Sequence, residues 1–199
     1  MKMSEGIKTR MGHLDRQGMT LVEMMISITI FAVVLGVVMG FMTTSGRSYN
    51  ATREKVQYQQ SMRAVISLLT KEIRSTGCDP GNVGFDRFVL ADNNTMRCQM
   101  DLNGDSDVTD ITPDENVTYN FDPASGELSR DNGTGAIVIL RGVTSVTFTY
   151  LDQEGNVLGA VPLNATDRFL VRYVDLNIVG ETDTGEPVDY TSRVALRNG

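Results

Sequence analysis

Four aspartates and an asparagine crowd the stretch "DLNGDSDVTD", where Asp101, Asn103, Asp105 and Asp107 occupy alternate positions and Asp110 follows. Oxygen-bearing side chains at this spacing let an EF-hand-like loop wrap Ca²⁺. The match is partial, because the sixth position holds Ser106 instead of Gly and the twelfth holds Thr112 instead of Glu. Asp110 would then act as a substitute ligand. If the loop takes Ca²⁺, its affinity belongs to the weak, extracellular range of about 10⁻⁴–10⁻³ M. The same residue types also build any exposed turn, since Asp, Asn and Gly tolerate its backbone angles and bond its amides. Both readings are open from the residues alone.

Other reactive side chains are few. Cys78 and Cys98 are the only cysteines and His13 is the only histidine. Two thiols cannot supply a four-ligand thiolate site. In an oxidising compartment they can close one disulfide loop of about 20 residues, worth about 3 kcal/mol by loop entropy. Two free thiols are the alternative.

Glu23 is a carboxylate in an unexpected place. It stands near the start of "RQGMTLVEMMISITIFAVVLGVVMGFM", and residues 24 to 46 carry no charge. About 20 helical residues at 1.5 Å each cross the ~30 Å hydrocarbon core, so this run predicts a membrane-spanning helix. Lys2, Lys8, Arg10 and Arg16 precede it against Glu5 and Asp15. That bias keeps the N-terminus cytoplasmic and sends the remainder of the chain outward. A secretory signal has a shorter apolar core, ~7–15 residues, with small residues before its cut; no such site follows Met42. A carboxylate within the membrane costs about 2.5–3.5 kcal/mol on insertion scales, so Glu23 needs a partner or must reach the headgroups.

A basic leader, then Gly18 followed by "MTLVE", then the span, closely resembles the prepilin leader of type IV pilins and pseudopilins. The resemblance implies cleavage after Gly18 by a membrane prepilin peptidase and N-methylation of the new terminus at Met19, where the family most often has Phe. Cleavage would give Glu23 its partner: the new amine, with an ordinary pKa near ~7.7–8, is cationic at neutral pH and lies about one helical turn away. The family further implies that Glu23 neutralises the Met19 amine of a neighbouring subunit as a helical fibre forms. His13 would leave with the leader. The mature chain would then lack imidazole, which excludes Ser-His-Asp and Cys-His catalysis and His-ligated zinc.

These residues need elements to hold them. Gly36 and Gly40 form G-x-x-x-G within the span, a spacing that allows either close helix packing or local melting. Beyond Gly46, Tyr58, Met62, Val65, Ile66, Leu69 and Ile73 recur at steps of 3 and 4, with Arg63, Lys71, Glu72 and Arg74 expected on other faces. Gly77 and Pro80 should end this amphipathic helix. A helix continuous from about Met19 to Ser75 would measure roughly 85 Å. Strand-like runs begin at residue 83: "VGFDRFVL", "TMRCQM", "VTYNF", "GELSR", "AIVIL", "VTSVTFTYLD", "FLVRYVDLNIVG" and "YTSRVALR", divided by Gly, Asn, Asp and Pro. The expected fold is α+β, a long N-terminal helix packed on an antiparallel sheet. Its parts are a leader at 1–18, a transmembrane and polymerisation helix at 19–46, an amphipathic half at 47–77 and a β-rich domain at 78–199.

Within that β-rich part, "LLTKEIRSTGCDPGN", "DLNGDSD", "VTSVTFTYLDQEG" and the terminal "SRVALRNG" look like landmarks of PilW-like minor pilins, relatives of the J-type pseudopilins of type II secretion. Cys78 stands where that family often has an aromatic residue before "DP". The departure favours a bridge from the helix end to the strand bearing Cys98.

The formal net charge is −7 for 199 residues, and removing residues 1–18 takes away four basic and two acidic side chains to leave −9. Nucleic-acid binding needs clustered Lys and Arg, so direct binding of this kind is not expected. No catalytic constellation of carboxylates is visible, and an enzyme is not expected either. The expected role is a minor pilin, a structural subunit in the inner membrane and then in a type IV pilus, placed by family analogy in the initiating or tip complex. Its partners would be other pilins, the prepilin peptidase and the inner-membrane assembly platform. The alternatives are a pseudopilin of a type II secretion system or DNA-uptake pilus, and a single-pass anchor carrying a binding or calcium-sensing β-domain. Ca²⁺ is the one cofactor the residues suggest.

Overall fold

The structure, a computed structural model, describes residues 18–183 and 185–197. Apart from Gly18, the expected leader lies outside the described residues. One α-helix, α1, runs from Leu21 to Ser75. Its first part, to Ser48, and the chain from Tyr49 onward are separate compact units.

In the first unit every side chain of the helix is exposed. The sequence here is rich in Val and Ile, which lose side-chain freedom in a helix. Hydrocarbon overrides that preference, because a spanning segment must satisfy its N–H and C=O groups internally. This is the one described helix long and apolar enough to cross a membrane. It passes through Gly36, Gly40 and Gly46 without interruption. A β-carbon built on any of these three glycines meets nothing within 4 Å.

In the second unit the stripe read from the sequence becomes one wall of the core. Met62, Val65, Ile66, Leu69 and Ile73 are buried, with Tyr58 packed partly buried beside them. The helix stops as expected: Gly77 adopts φ +76°, the left-handed region that favours glycine, and its N–H donates to the Gln99 carbonyl at 2.9 Å. One charge departs from the reading. Glu72, expected on an outer face, is buried. It sits three residues after Leu69 and seven after Val65, so helical geometry places it on the apolar stripe.

The strands are β1 (Phe88–Ala91), β2 (Thr95–Gln99), β3 (Asn116–Asp122), β4 (Glu127–Asp131), β5 (Ile137–Leu140), β6 (Val143–Leu151), β7 (Tyr173–Glu181) and β8 (Pro187–Ala195). They form two antiparallel sheets: β1-β2-β3-β4-β5, and β6-β7-β8. Alternation decides their inner faces. Val146, Phe148 and Tyr150 are buried while Thr147 and Thr149 are only half-buried, and Val174, Leu176 and Ile178 repeat the pattern on β7. The Phe88 and Tyr150 rings meet edge to face, 5.8 Å apart, one from each sheet.

Two sequence expectations shift. "VGFD" stays outside the strand that begins at Phe88, and "FL" of "FLVRYVDLNIVG" belongs instead to a short helix, α2 (Ala165–Leu170). Asn164 caps that helix, its side-chain oxygen accepting the Asp167 N–H at 3.0 Å. The cap overrides a run whose apolar residues alone resemble a strand.

Gly180 shows how closely α1 approaches the second sheet. A β-carbon there would collide with the Tyr58 hydroxyl and lie 2.7 Å from the Gly142 carbonyl oxygen. The Tyr58 hydroxyl donates to that same carbonyl at 2.9 Å. Only glycine leaves room for this contact.

Candidate functional site

Glu23 lies in the first turn of α1 and is not idle there. The Thr20 backbone N–H donates to Glu23 Oε2 at 3.4 Å, and the Glu23 backbone N–H donates to Thr20 Oγ1 at 3.3 Å. This reciprocal pair is a capping box, the T-x-x-E pattern that satisfies two donors at a helix start. The signal is present in "TLVE", in the same residues that pose Glu23 as an acid in need of a partner. The box holds the carboxylate beside the first turn, where the helix dipole favours negative charge. It leaves Glu23 exposed.

The polar side chains deeper in the helix are satisfied locally. Ser27 donates to the Glu23 carbonyl at 2.8 Å and Thr29 to the Met25 carbonyl at 2.8 Å. The Thr43 and Thr44 hydroxyls both donate to the Gly40 carbonyl, at 2.9 and 3.0 Å. Back-bonding of this type removes the cost of carrying hydroxyls through an apolar medium.

The acidic loop joins β2 to β3. Its two ends are tied together by the Met100 N–H donating to the Glu115 carbonyl at 2.9 Å, and the Asp101 N–H ties the loop to the turn after α1 by donating to the Cys78 carbonyl at 2.7 Å. The five residues singled out in the sequence separate here. Asp101 is buried, and its carboxylate accepts the Gly104 N–H at 2.5 Å and the Ser106 N–H at 3.1 Å, so it shapes the turn. Asn103 spans the loop, its amide donating to Asp105 at 3.0 Å and to Asp110 at 2.7 Å. Asp105, Asp107 and Asp110 converge with Glu115, each placing a carboxylate oxygen within 4.8 Å of the other three. Glu115 is the member that sequence reading missed, because it lies three residues beyond the EF-hand's twelfth position. It is fully buried.

Next to this loop lies a buried ionic network. Glu72 accepts from the Tyr119 hydroxyl at 2.5 Å and from Arg130 Nη2 at 2.6 Å. Arg130 also donates to Asp114 at 2.6 Å, and Asp114 accepts from Asn132 at 2.6 Å. Burial alone would push the Asp114 carboxyl up; hydrogen bonds from Asn132 and Arg130 outweigh it and hold Asp114 below the usual carboxylate range. Burial likewise works against the Arg130 charge, but its bonds to Glu72 and Asp114 prevail and raise its pKa.

A pH dependence results. The unfolded Asp titrates near ~3.9, and folding lowers the Asp114 value. Its contribution is therefore complete above about pH 4 and is lost as pH falls through the lower folded value. Thermal melts of an Asp114→Asn variant between about pH 2 and 5 should show a shallower loss of stability on acidification than the parent chain. An unchanged acid limb would remove Asp114 from this role.

The two thiols are free in this structure. Cys98 is buried, donating weakly to the Val117 carbonyl at 3.6 Å, and burial pushes its thiol up to about 12. Cys78 is half-buried against the same core.

Comparison with known proteins adds one finding to this geometry. Residues 14–39 match the family described as the prokaryotic N-terminal methylation motif. The match covers Gly18, Met19, the capping box and the first part of the exposed apolar helix, and it supports a type IV pilin-like chain anchored in a membrane by a single pass. No curated protein shows a significant match to the chain.

Proposed function

We propose that this chain is a minor pilin, a structural subunit and not an enzyme. It enters the inner membrane with its N-terminus cytoplasmic, is cut after Gly18 by a prepilin peptidase, and is N-methylated at Met19. It then joins other pilins through α1, by way of the inner-membrane assembly platform, in the initiating or tip complex of a type IV pilus. The observation that carries this reading is the methylation motif at residues 14–39, placed on a helix whose apolar side chains are wholly uncovered as far as Met42. Such a surface must be covered by lipid before assembly and by neighbouring helices after it. Resemblance of the β-rich part to PilW-like minor pilins supports the finer placement. Gly36 and Gly40, where an added β-carbon would meet nothing within 4 Å, offer a neighbour a close approach.

The test is processing. A Gly18→Ala variant should remain a membrane-bound precursor, a slower band on an immunoblot than the parent, whose N-terminal sequencing should read methylated Met19. Mature-size protein from the variant would defeat the reading. Mass spectrometry of sheared filaments then decides placement: peptides from 78–199 in that fraction support a pilus subunit, and their absence sends the protein elsewhere.

A further inference from the structure

We propose that Asp105, Asp107, Asp110 and Glu115 form a Ca²⁺ site that locks the loop between β2 and β3. The site stands independently of the reading of the N-terminal helix.

Glu115 carries the argument. It is 0 % exposed, and among the described residues its Oε2 has no hydrogen-bond partner. Its other oxygen, Oε1, is occupied, accepting the Leu102 N–H at 2.8 Å and the Asn103 N–H at 3.3 Å. A buried carboxylate oxygen without a donor is costly, because charge withdrawn from water must be matched. The groups gathered near it make the deficit worse. Three aspartates bring carboxylate oxygens within 4.8 Å of the glutamate's and of one another's. Asn103 donates to Asp105 and Asp110, and Thr109 to Asp107, but among the described residues no donor reaches Glu115 Oε2, so four carboxylates this close, one of them fully buried with an oxygen unmatched, call for a cation.

The donor set selects its type. Four carboxylate oxygens suit a hard cation, whereas zinc and copper favour nitrogen and sulfur. Ca²⁺ binds oxygen at about 2.3–2.6 Å, so ligands on opposite sides of it lie about 4.6–5.2 Å apart. The observed spread of up to 4.8 Å fits within that shell. Mg²⁺ needs a tighter, near-octahedral shell of about 2.0–2.1 Å and retains several waters, so it usually takes one or two carboxylates where this loop gathers four. Ca²⁺ takes 6–8 oxygens, so the four carboxylates supply part of the shell and water the remainder.

The site would act on more than its own loop. Asp101 ties the loop to the turn after α1 through the Cys78 carbonyl, and Asp114, next to Glu115 in the chain, holds Arg130. Filling the site fixes the 101–115 segment against both.

The experiment is isothermal titration of the EDTA-stripped full chain in detergent with CaCl₂, and with MgCl₂ in parallel. The expected result is Ca²⁺ binding with a dissociation constant of about 10⁻⁴–10⁻³ M, and Mg²⁺ binding at least about tenfold weaker. Glu115→Gln keeps an acceptor for Leu102 and Asn103 while removing the charge, and should weaken Ca²⁺ binding about tenfold or more. Asp107→Asn, at an exposed position that does not threaten folding, should weaken it similarly. No heat up to about 10 mM Ca²⁺, an order above the weakest constant expected, overturns the site. So does parental affinity in the Asp107→Asn variant, whatever the state of the Glu115 variant.

Discussion

A strain whose only copy of the protein carries Glu23→Gln is expected to process it normally after Gly18 and yet leave it out of sheared filaments. Glutamine retains a side-chain oxygen for the Thr20 N–H, so the capping box survives and α1 begins where it did. What it loses is the charge. On the proposed reading, the Met19 amine exposed by cleavage is a cation that must meet a carboxylate as the helix leaves the bilayer, and glutamine cannot neutralise it. Thr20→Ala supplies the opposite test. It removes the hydroxyl that accepts the Glu23 N–H while leaving the carboxylate intact. Losing an N-cap costs about 0.5–2 kcal/mol, and in a 55-residue helix this frays one end. Thr20→Ala should therefore still enter filaments. Normal recovery of Glu23→Gln would show that the acid serves the cap alone.

Arg130→Ala is expected to cost about 3 kcal/mol in the unfolding of the full chain in detergent, followed by near-ultraviolet circular dichroism against urea. The Arg130 and Glu72 side chains are only 14% and 11% exposed, so removing the guanidinium leaves the Glu72 carboxyl shielded from water, with the Tyr119 hydroxyl as the side-chain partner that remains. Asp114, 34% exposed, recovers part of its hydration. Removing one member of a buried pair is worse than replacing both. The double variant Glu72→Leu, Arg130→Met should therefore be more stable than Arg130→Ala, since leucine at that position extends the stripe of Val65, Leu69 and Ile73. A single variant within about 1 kcal/mol of the parent would mean that water already reaches Glu72.

Most of the architecture was legible because its signals are local. The stripe from Tyr58 to Ile73 is a matter of 3.6-residue periodicity, the helix stop at Gly77 a matter of one left-handed residue, and the strands a matter of alternation between Gly, Asn and Asp. The span from Met24 to Gly46 rests on length and the absence of charge. What misled was also local. "FLVR" has strand composition, but Asn164 caps a helical turn over its first residues. Glu72 was sent outward because it is charged, although its position on the stripe had already placed it inward. Arg130 and Tyr119, 58 and 47 residues further along the chain, make that burial tolerable, and no window of sequence contains all three.

The sequence by itself determined the methylation motif matched over residues 14–39, the long apolar helix, its amphipathic continuation and the β-rich character of the C-terminal part, because each depends on neighbours a few residues apart. Only the tertiary structure divided the strands into sheets of five and three, and only it sorted the acidic loop. Alternate spacing nominated Asp101 beside Asp105, Asp107 and Asp110. Folding turned Asp101 toward the backbone amides and brought the buried Glu115 in from beyond the motif. A cation site is a property of oxygens converging in space, and the pairing of β2 with β3 decides which oxygens converge.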